Sequence, residues 1–144
     1  MSSVSKTENG RYKVWWRDDR GRRRTKTFDR KRDAEKHASK VVVDLAEGTY
    51  LDSNAGKITF PEWAEQWRTG APHGPTTSAL VARNLRNHAY PAFGDIALKS
   101  ILPFRIESWV KKLPLSPASA KIVRNHVSQV FAAAVRNRLI ATNP

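Results

Sequence analysis

Residues 11–28 alternate with period two around the turn Asp18-Asp-Arg-Gly21, and from Ala34 to Leu45 the apolar positions fall at helical spacing. That change of period constrains the chain most: it demands a β-hairpin followed by an amphipathic helix. Arg11-Tyr-Lys-Val-Trp-Trp-Arg17 supplies one strand, and Arg22 to Phe28 returns. Gly21 suits the positive φ of a tight hairpin. A shorter strand near Val4–Thr7 joins through Glu8-Asn9-Gly10. Three short strands need a cover for their apolar face. The following helix provides it, with Asp29 or its neighbour as cap, Ala34, Ala38, Val41, Val42 and Leu45 inward, and Gly48 as stop. The expected first domain is α+β, residues 1–48: a three-stranded antiparallel sheet packed on one helix.

Residues 49–57 contain Asp52-Ser-Asn-Ala-Gly56, lack periodicity, and read as a linker. Residues 58–144 read as an all-α four-helix domain. Thr59 with Glu62 has capping-box spacing, and Phe60, Trp63, Ala64 and Trp67 form a buried face. Gly70 to Pro75 breaks that helix. A second starts at Thr76 or Thr77, runs through Leu80, Leu85 and His88, and ends near Pro91. Phe93 to Ile101 is a tight connector. Pro103 opens a third helix with Ile106, Trp109, Val110 and Leu113 inward. Ser116-Pro117 opens a fourth with Ile122, Val123, Val127, Val130, Phe131 and Val135 inward, fading near Asn137.

Charge points to the partner. The chain has 26 Lys and Arg against 13 Asp and Glu, a net +13. Residues 1–48 hold 14 basic and 8 acidic residues, and residues 49–144 hold 12 and 5, so both parts are cationic. Such an excess repels itself and marks a polyanionic partner, nucleic acid before an anionic membrane. No apolar run spans a bilayer and no exposed amphipathic helix has a hydrophobic face to spare, so a membrane partner is not expected. The absence of cysteine excludes disulfides and fits a reducing cytoplasm. His37, His73, His88 and His126 have no metal-ligand spacing, and neither metal nor cofactor is expected.

In the second strand Tyr12, Val14 and Trp16 share one face, which suits the helix stripe. Arg11, Lys13, Trp15 and Arg17 share the other, which is cationic with a tryptophan at its centre. A small sheet fits the DNA major groove, where these residues reach phosphates, guanine edges or a thymine methyl. Arg22, Arg23, Arg24 and Lys26 extend the expected DNA surface onto the third strand. Alternation brings a conflict there: if Phe28 points inward, so do Lys26 and Arg24, and a bulge or twisted edge is required.

In the helical part Lys121, Arg124, Asn125 and Ser128 lie opposite the apolar stripe of the fourth helix. Arg83, Arg86 and Asn87 do so on the second, with Thr76 and Thr77 at its start. Each set alone reads first as an ordinary solvated helix face; together they form a candidate surface for a second DNA segment. No catalytic set emerges. The acidic residues Asp52, Glu62, Glu65, Asp95 and Glu107 do not cluster. Trp63, Trp67 and Trp109 read as core, and His88 as structural or DNA-contacting.

The order of these features resembles the N-terminal part of a phage-type tyrosine recombinase (integrase) of the actinobacterial group. The first part is similar to an arm-type DNA-binding domain through Tyr12–Phe28, Lys31-Arg-Asp-Ala-Glu35 and Gly48-Thr-Tyr-Leu-Asp52. The second is similar to a SAM-like core-binding domain through Thr59–Trp67, Tyr90–Leu98, Ile101, Trp109 and Ala132–Pro144. The resemblance implies arm-site binding by the sheet, core-site binding by the helices, and a role in phage DNA integration in the bacterial host cytoplasm, at the nucleoid. It implies self-association on DNA and accessory DNA-bending proteins as partners. It also implies a catalytic domain beyond Pro144, absent here, so that this chain binds double-stranded DNA without cutting it. Tyr12, Tyr50 and Tyr90 do not sit in the family's catalytic motif. A stand-alone transcriptional regulator and a double-stranded RNA-binding protein are the competing readings.

Overall fold

The computed structural model describes residues 2–144 and divides into two compact units, the first ending at Leu51 and the second beginning at Asp52. The first unit contains β1 (Ser2–Lys6), β2 (Tyr12–Arg17), β3 (Arg23–Phe28) and α1 (Lys31–Glu47). The sheet is antiparallel in the order β1-β2-β3. The hairpin between β2 and β3 turns at Gly21, whose φ of 77° is left-handed. All six residues of β2 pair in unbroken register with β3, from Tyr12↔Phe28 to Arg17↔Arg23. The bulge expected in β3 does not form, and Arg24 and Lys26 share the face of Trp16 and Val14.

That inner face carries the core. Val14 and Trp16 are buried with Ala34, Ala38 and Val41 of α1, and Tyr12, Phe28, Val4 and Leu45 pack around them. Val42, expected inward, is 50% exposed. It stands about 100° around the helix from Val41 and lies past the sheet's cover. Asp29 does not cap α1: Arg30 holds the cap position with no side-chain hydrogen bond, and Asp29 pairs with Arg11 at 3.1 Å. Gly48, in the left-handed conformation at φ 73°, ends the helix. The backbone N–H groups of Thr49 and Tyr50 then donate to Asp44 O at 2.8 and 3.1 Å. This reversal buries Tyr50, whose hydroxyl accepts from Trp16 Nε1 at 2.9 Å. Residues 49–51, read from sequence as linker, therefore belong to the first compact unit.

The second unit opens with a short helical turn (Ala55–Lys57), then α2 (Phe60–Gly70), α3 (Pro75–Asn84), a widened turn (Leu85–Ala89), α4 (Tyr90–Phe93), another short turn (Leu98–Ser100), α5 (Pro103–Lys111) and α6 (Pro117–Arg136). Gly56 is buried here, and an added Cβ would stand 2.8 Å from Lys99 Cβ and 2.9 Å from Leu139 O, so the position has no room for a side chain. Thr59 forms the expected capping box with Glu62, both bonds at 3.4 Å. The helix after α2 starts one residue earlier than read from sequence, at Pro75, and its backbone stays helical through Pro91 to the end of α4 at Phe93. Pro91 has no N–H and its ring crowds the carbonyl four residues back; widening the preceding turn relieves that clash and lets the helix continue.

Phe60 sits at the centre of this core, its ring 5.5 Å from Phe93 and 5.4 Å from Phe131. The indole N–H groups find carbonyls: Trp63 Nε1 donates to Val130 O at 3.0 Å and Trp109 Nε1 to His88 O at 2.9 Å. Burying each large side chain stabilises the unit by roughly 1.5–3 kcal/mol. Ile122, expected inward on α6, is 46% exposed. It lies beside, not on, the stripe of Val123, Val127 and Val130, which are buried.

Candidate nucleic-acid interface

On the outer face of the sheet, paired strands align the rows Ser5–Lys13–Thr27 and Ser3–Trp15–Thr25, with Arg17 opposite Arg23. Lys13, Arg17 and Arg23 are exposed and Trp15 is half-buried. The Arg23 guanidinium stands over the Trp15 ring, 4.9 Å from its centroid. Arg17 Nη1 donates to Gly21 O at 3.2 Å. Among the described residues no carboxylate forms an ion pair with Lys13, Arg17 or Arg23. Two arginines directly opposed across strands repel each other, and a polyanion relieves that repulsion.

The other arginines of the hairpin are held differently. Asp18, with its side chain fully buried, takes Arg22 Nε and Arg24 Nε on Oδ2, each at 3.1 Å. Its Oδ1 accepts the backbone N–H groups of Arg20 and Arg22 at 2.9 and 2.8 Å. Burial alone would push this carboxyl up, but the hydrogen bonds from Arg22, Arg20 and Arg24 outweigh it and hold the group down at about 2. Lys26, on the inner face, lies 5.4 Å from the Phe28 ring centroid. Thus the eight residues expected to form one DNA surface separate. Lys13, Trp15, Arg17 and Arg23 share the open face; Arg24 and Lys26 lie on the helix side; Arg22 is tied at the turn; Arg11 is tied to Asp29. Sequence reasoning missed Asp18 as the group that sorts them, although its place among Arg17, Arg20, Arg22, Arg23 and Arg24 was a signal.

The Asp18 carboxyl carries a stability prediction. Its folded pKa is below its ordinary value, so its contribution is present above about 4 and is lost as pH falls through about 2. Acid titration of the chain, followed by the NMR signal of the Trp16 indole N–H, is expected to show a transition of the first unit in that window. Asp18→Asn should remove the step and lower the unit's stability at neutral pH. An unchanged acid midpoint in the variant would refute this role.

In the second unit Thr76, Thr77, Arg83, Arg86, Asn87, Lys121, Arg124, Asn125 and Ser128 are all exposed. Arg86 reaches Glu65 of α2 at 3.2 Å, and Arg68 reaches the same carboxylate at 2.6 Å. Burial favours a raised Glu65 pKa, but these arginines overcome it and lower the group. Ser128 accepts from Asn143 Nδ2 through its carbonyl at 3.1 Å. Arg124 and Ser128 also border a groove of about 310 Å³ between α5 and α6, with Ile106, Val110 and Lys111. Between α3 and α6 the structure places a buried polar pair not foreseen from sequence, Asn84 Nδ2 and His126 Nδ1, 3.2 Å apart. Burial, then the nearby His73, lowers His126. His126 falls three residues after Val123 and four before Val130, a polar residue on an apolar stripe that was readable as a buried partner.

The fold and its open face define a two-unit protein: a cationic, tryptophan-centred β-surface on one helix, followed by a helical unit. Among the described residues no helix is long and apolar enough to cross a membrane. The chain is similar to the Integrase of Mycobacterium phage L5, 25% identical over 126 residues that cover 82% of this chain and 34% of that protein. It therefore spans about a third of that relative's length. No protein-family model and no solved structure matches the chain.

Proposed function

We propose that the chain binds double-stranded DNA as the N-terminal part of a site-specific tyrosine recombinase acting in phage integration. The first unit takes arm-type sites through Lys13, Trp15, Arg17 and Arg23. The second is a SAM-like core-binding domain in which Arg83 of α3, Asn87 of the widened turn after it, and Lys121, Arg124 and Asn125 of α6 face the core site. The observation that carries the reading is the cationic outer sheet face around Trp15, whose Lys13, Arg17 and Arg23 form no ion pair with a carboxylate among the described residues. Similarity to a phage integrase supports it. No strand-cutting step is assigned to any residue of this chain.

A sheet fits the wide major groove of B-DNA, whereas the deep, narrow major groove of A-form RNA excludes one. A labelled DNA duplex bound to the full chain is expected to be displaced by unlabelled DNA far better than by an RNA duplex of the same sequence. With about 6–10 phosphates contacted, affinity should fall roughly 10³–10⁵-fold between about 50 and 200 mM salt. Equal competition by RNA, or an affinity indifferent to salt, would overturn the reading.

A further inference from the structure

We propose that Arg23 is the guanine-selecting residue of the outer sheet face, held for that task by the Trp15 indole. The inference rests on the DNA-binding reading above and assigns one residue within it the reading of sequence. The cations of the hairpin are sorted by their anchors. Arg22 and Arg24 are occupied by Asp18, and Arg17 is drawn back toward the turn by Gly21 O at 3.2 Å. The contact that positions Arg23 is an aromatic face, at 4.9 Å.

An aromatic anchor differs chemically from a carboxylate. It fixes the plane of a guanidinium but does not consume its N–H groups, which remain at the rim of the stack. Guanine offers two acceptors, O6 and N7, on its major-groove edge, and a planar fork can bond both at once. A lysine lacks that fork, and a free arginine would have to be ordered on binding. Register also gives the pair room. Trp15 lies in the central strand between Ser3 and Thr25. Those short neighbours leave the ring and the guanidinium over it as the bulkiest group on the face. Lys13 is a flexible point charge, and together with Arg17 it serves the phosphates flanking that base.

The test is selection of bound sequences from a random-sequence DNA duplex library by the full chain, repeated with Arg23→Lys, Trp15→Phe and Trp15→Leu. The unaltered chain should enrich guanine at a position that Arg23→Lys relaxes by about 10-fold or more. Trp15→Phe should keep most of the preference, and Trp15→Leu should lose it at the same position. Arg23 is exposed, so its lysine variant tests the proposal without disturbing the core. Full guanine preference in Arg23→Lys, or equal weakening toward every sequence, overturns the assignment while leaving DNA binding in place. Failure of the unaltered chain to bind any duplex overturns the DNA-binding reading itself, and this assignment with it.

Discussion

Replacing Lys13 and Arg17 together by alanine is expected to weaken duplex binding roughly 50- to 100-fold near 0.1 M salt, with a much smaller loss near 1 M. The argument is one of counterions. Each phosphate neutralised by a cation releases part of a condensed ion and contributes about 0.9 to the slope of log affinity against log salt. Losing two such contacts should flatten the slope by about 2. Both side chains are exposed on the outer face and neither forms an ion pair with a carboxylate among the described residues, so their removal leaves no buried group unsatisfied. The matched control is Arg32→Ala with Lys36→Ala, which removes the same charge from exposed positions on α1, the helix covering the opposite side of the sheet. Long-range attraction alone predicts equal losses for both double variants. A docked outer face predicts that only the strand variant flattens the slope. Titrations of both variants at several salt concentrations decide the matter, and equal slopes would refute the interface.

The two faces of β2 were legible because alternation is local: one residue's parity fixes the next. The same rule raised the conflict in β3, and the bulge it called for arose from assuming that basic residues face outward. Arg24 can face inward because Asp18, six residues earlier, supplies a buried carboxylate at 3.1 Å. That compensation crosses the hairpin and has no periodic signature. Val42 and Ile122 show a different limit. A helical stripe gives the direction of burial, but its width depends on how far the neighbouring element extends. The Asn84–His126 contact joins residues 42 positions apart, and sequence marks each as an anomaly without naming its partner. In the candidate site, composition could identify the cations but not sort them. Sorting depends on which of them a carboxylate, a carbonyl or an aromatic ring already occupies.

Tyr50→Ala is expected to unfold the first unit while the second stays folded. Tyr50 lies beyond α1 and is brought back by the turn at Gly48, so its contribution is separated from the helix in sequence but not in packing. It is 6% exposed, and its hydroxyl satisfies the buried Trp16 indole N–H at 2.9 Å. Truncating a buried aromatic costs about 3–5 kcal/mol. A single small core of this size rarely supplies more than about 3–5 kcal/mol in total, so the loss consumes the unit's margin. Tyr50→Phe keeps the ring and orphans the Trp16 donor, a cost of about 1–3 kcal/mol, and should leave a weakened but folded sheet. Hydrogen exchange on the full chain separates the outcomes. In Tyr50→Ala the amides of Tyr12–Arg17 should lose protection while those of α6 keep theirs, and the duplex binding proposed for the outer face should vanish with the sheet. Retained protection across β2 would mean that the strands and α1 suffice alone, and that Tyr50 is a passenger at the edge of the core.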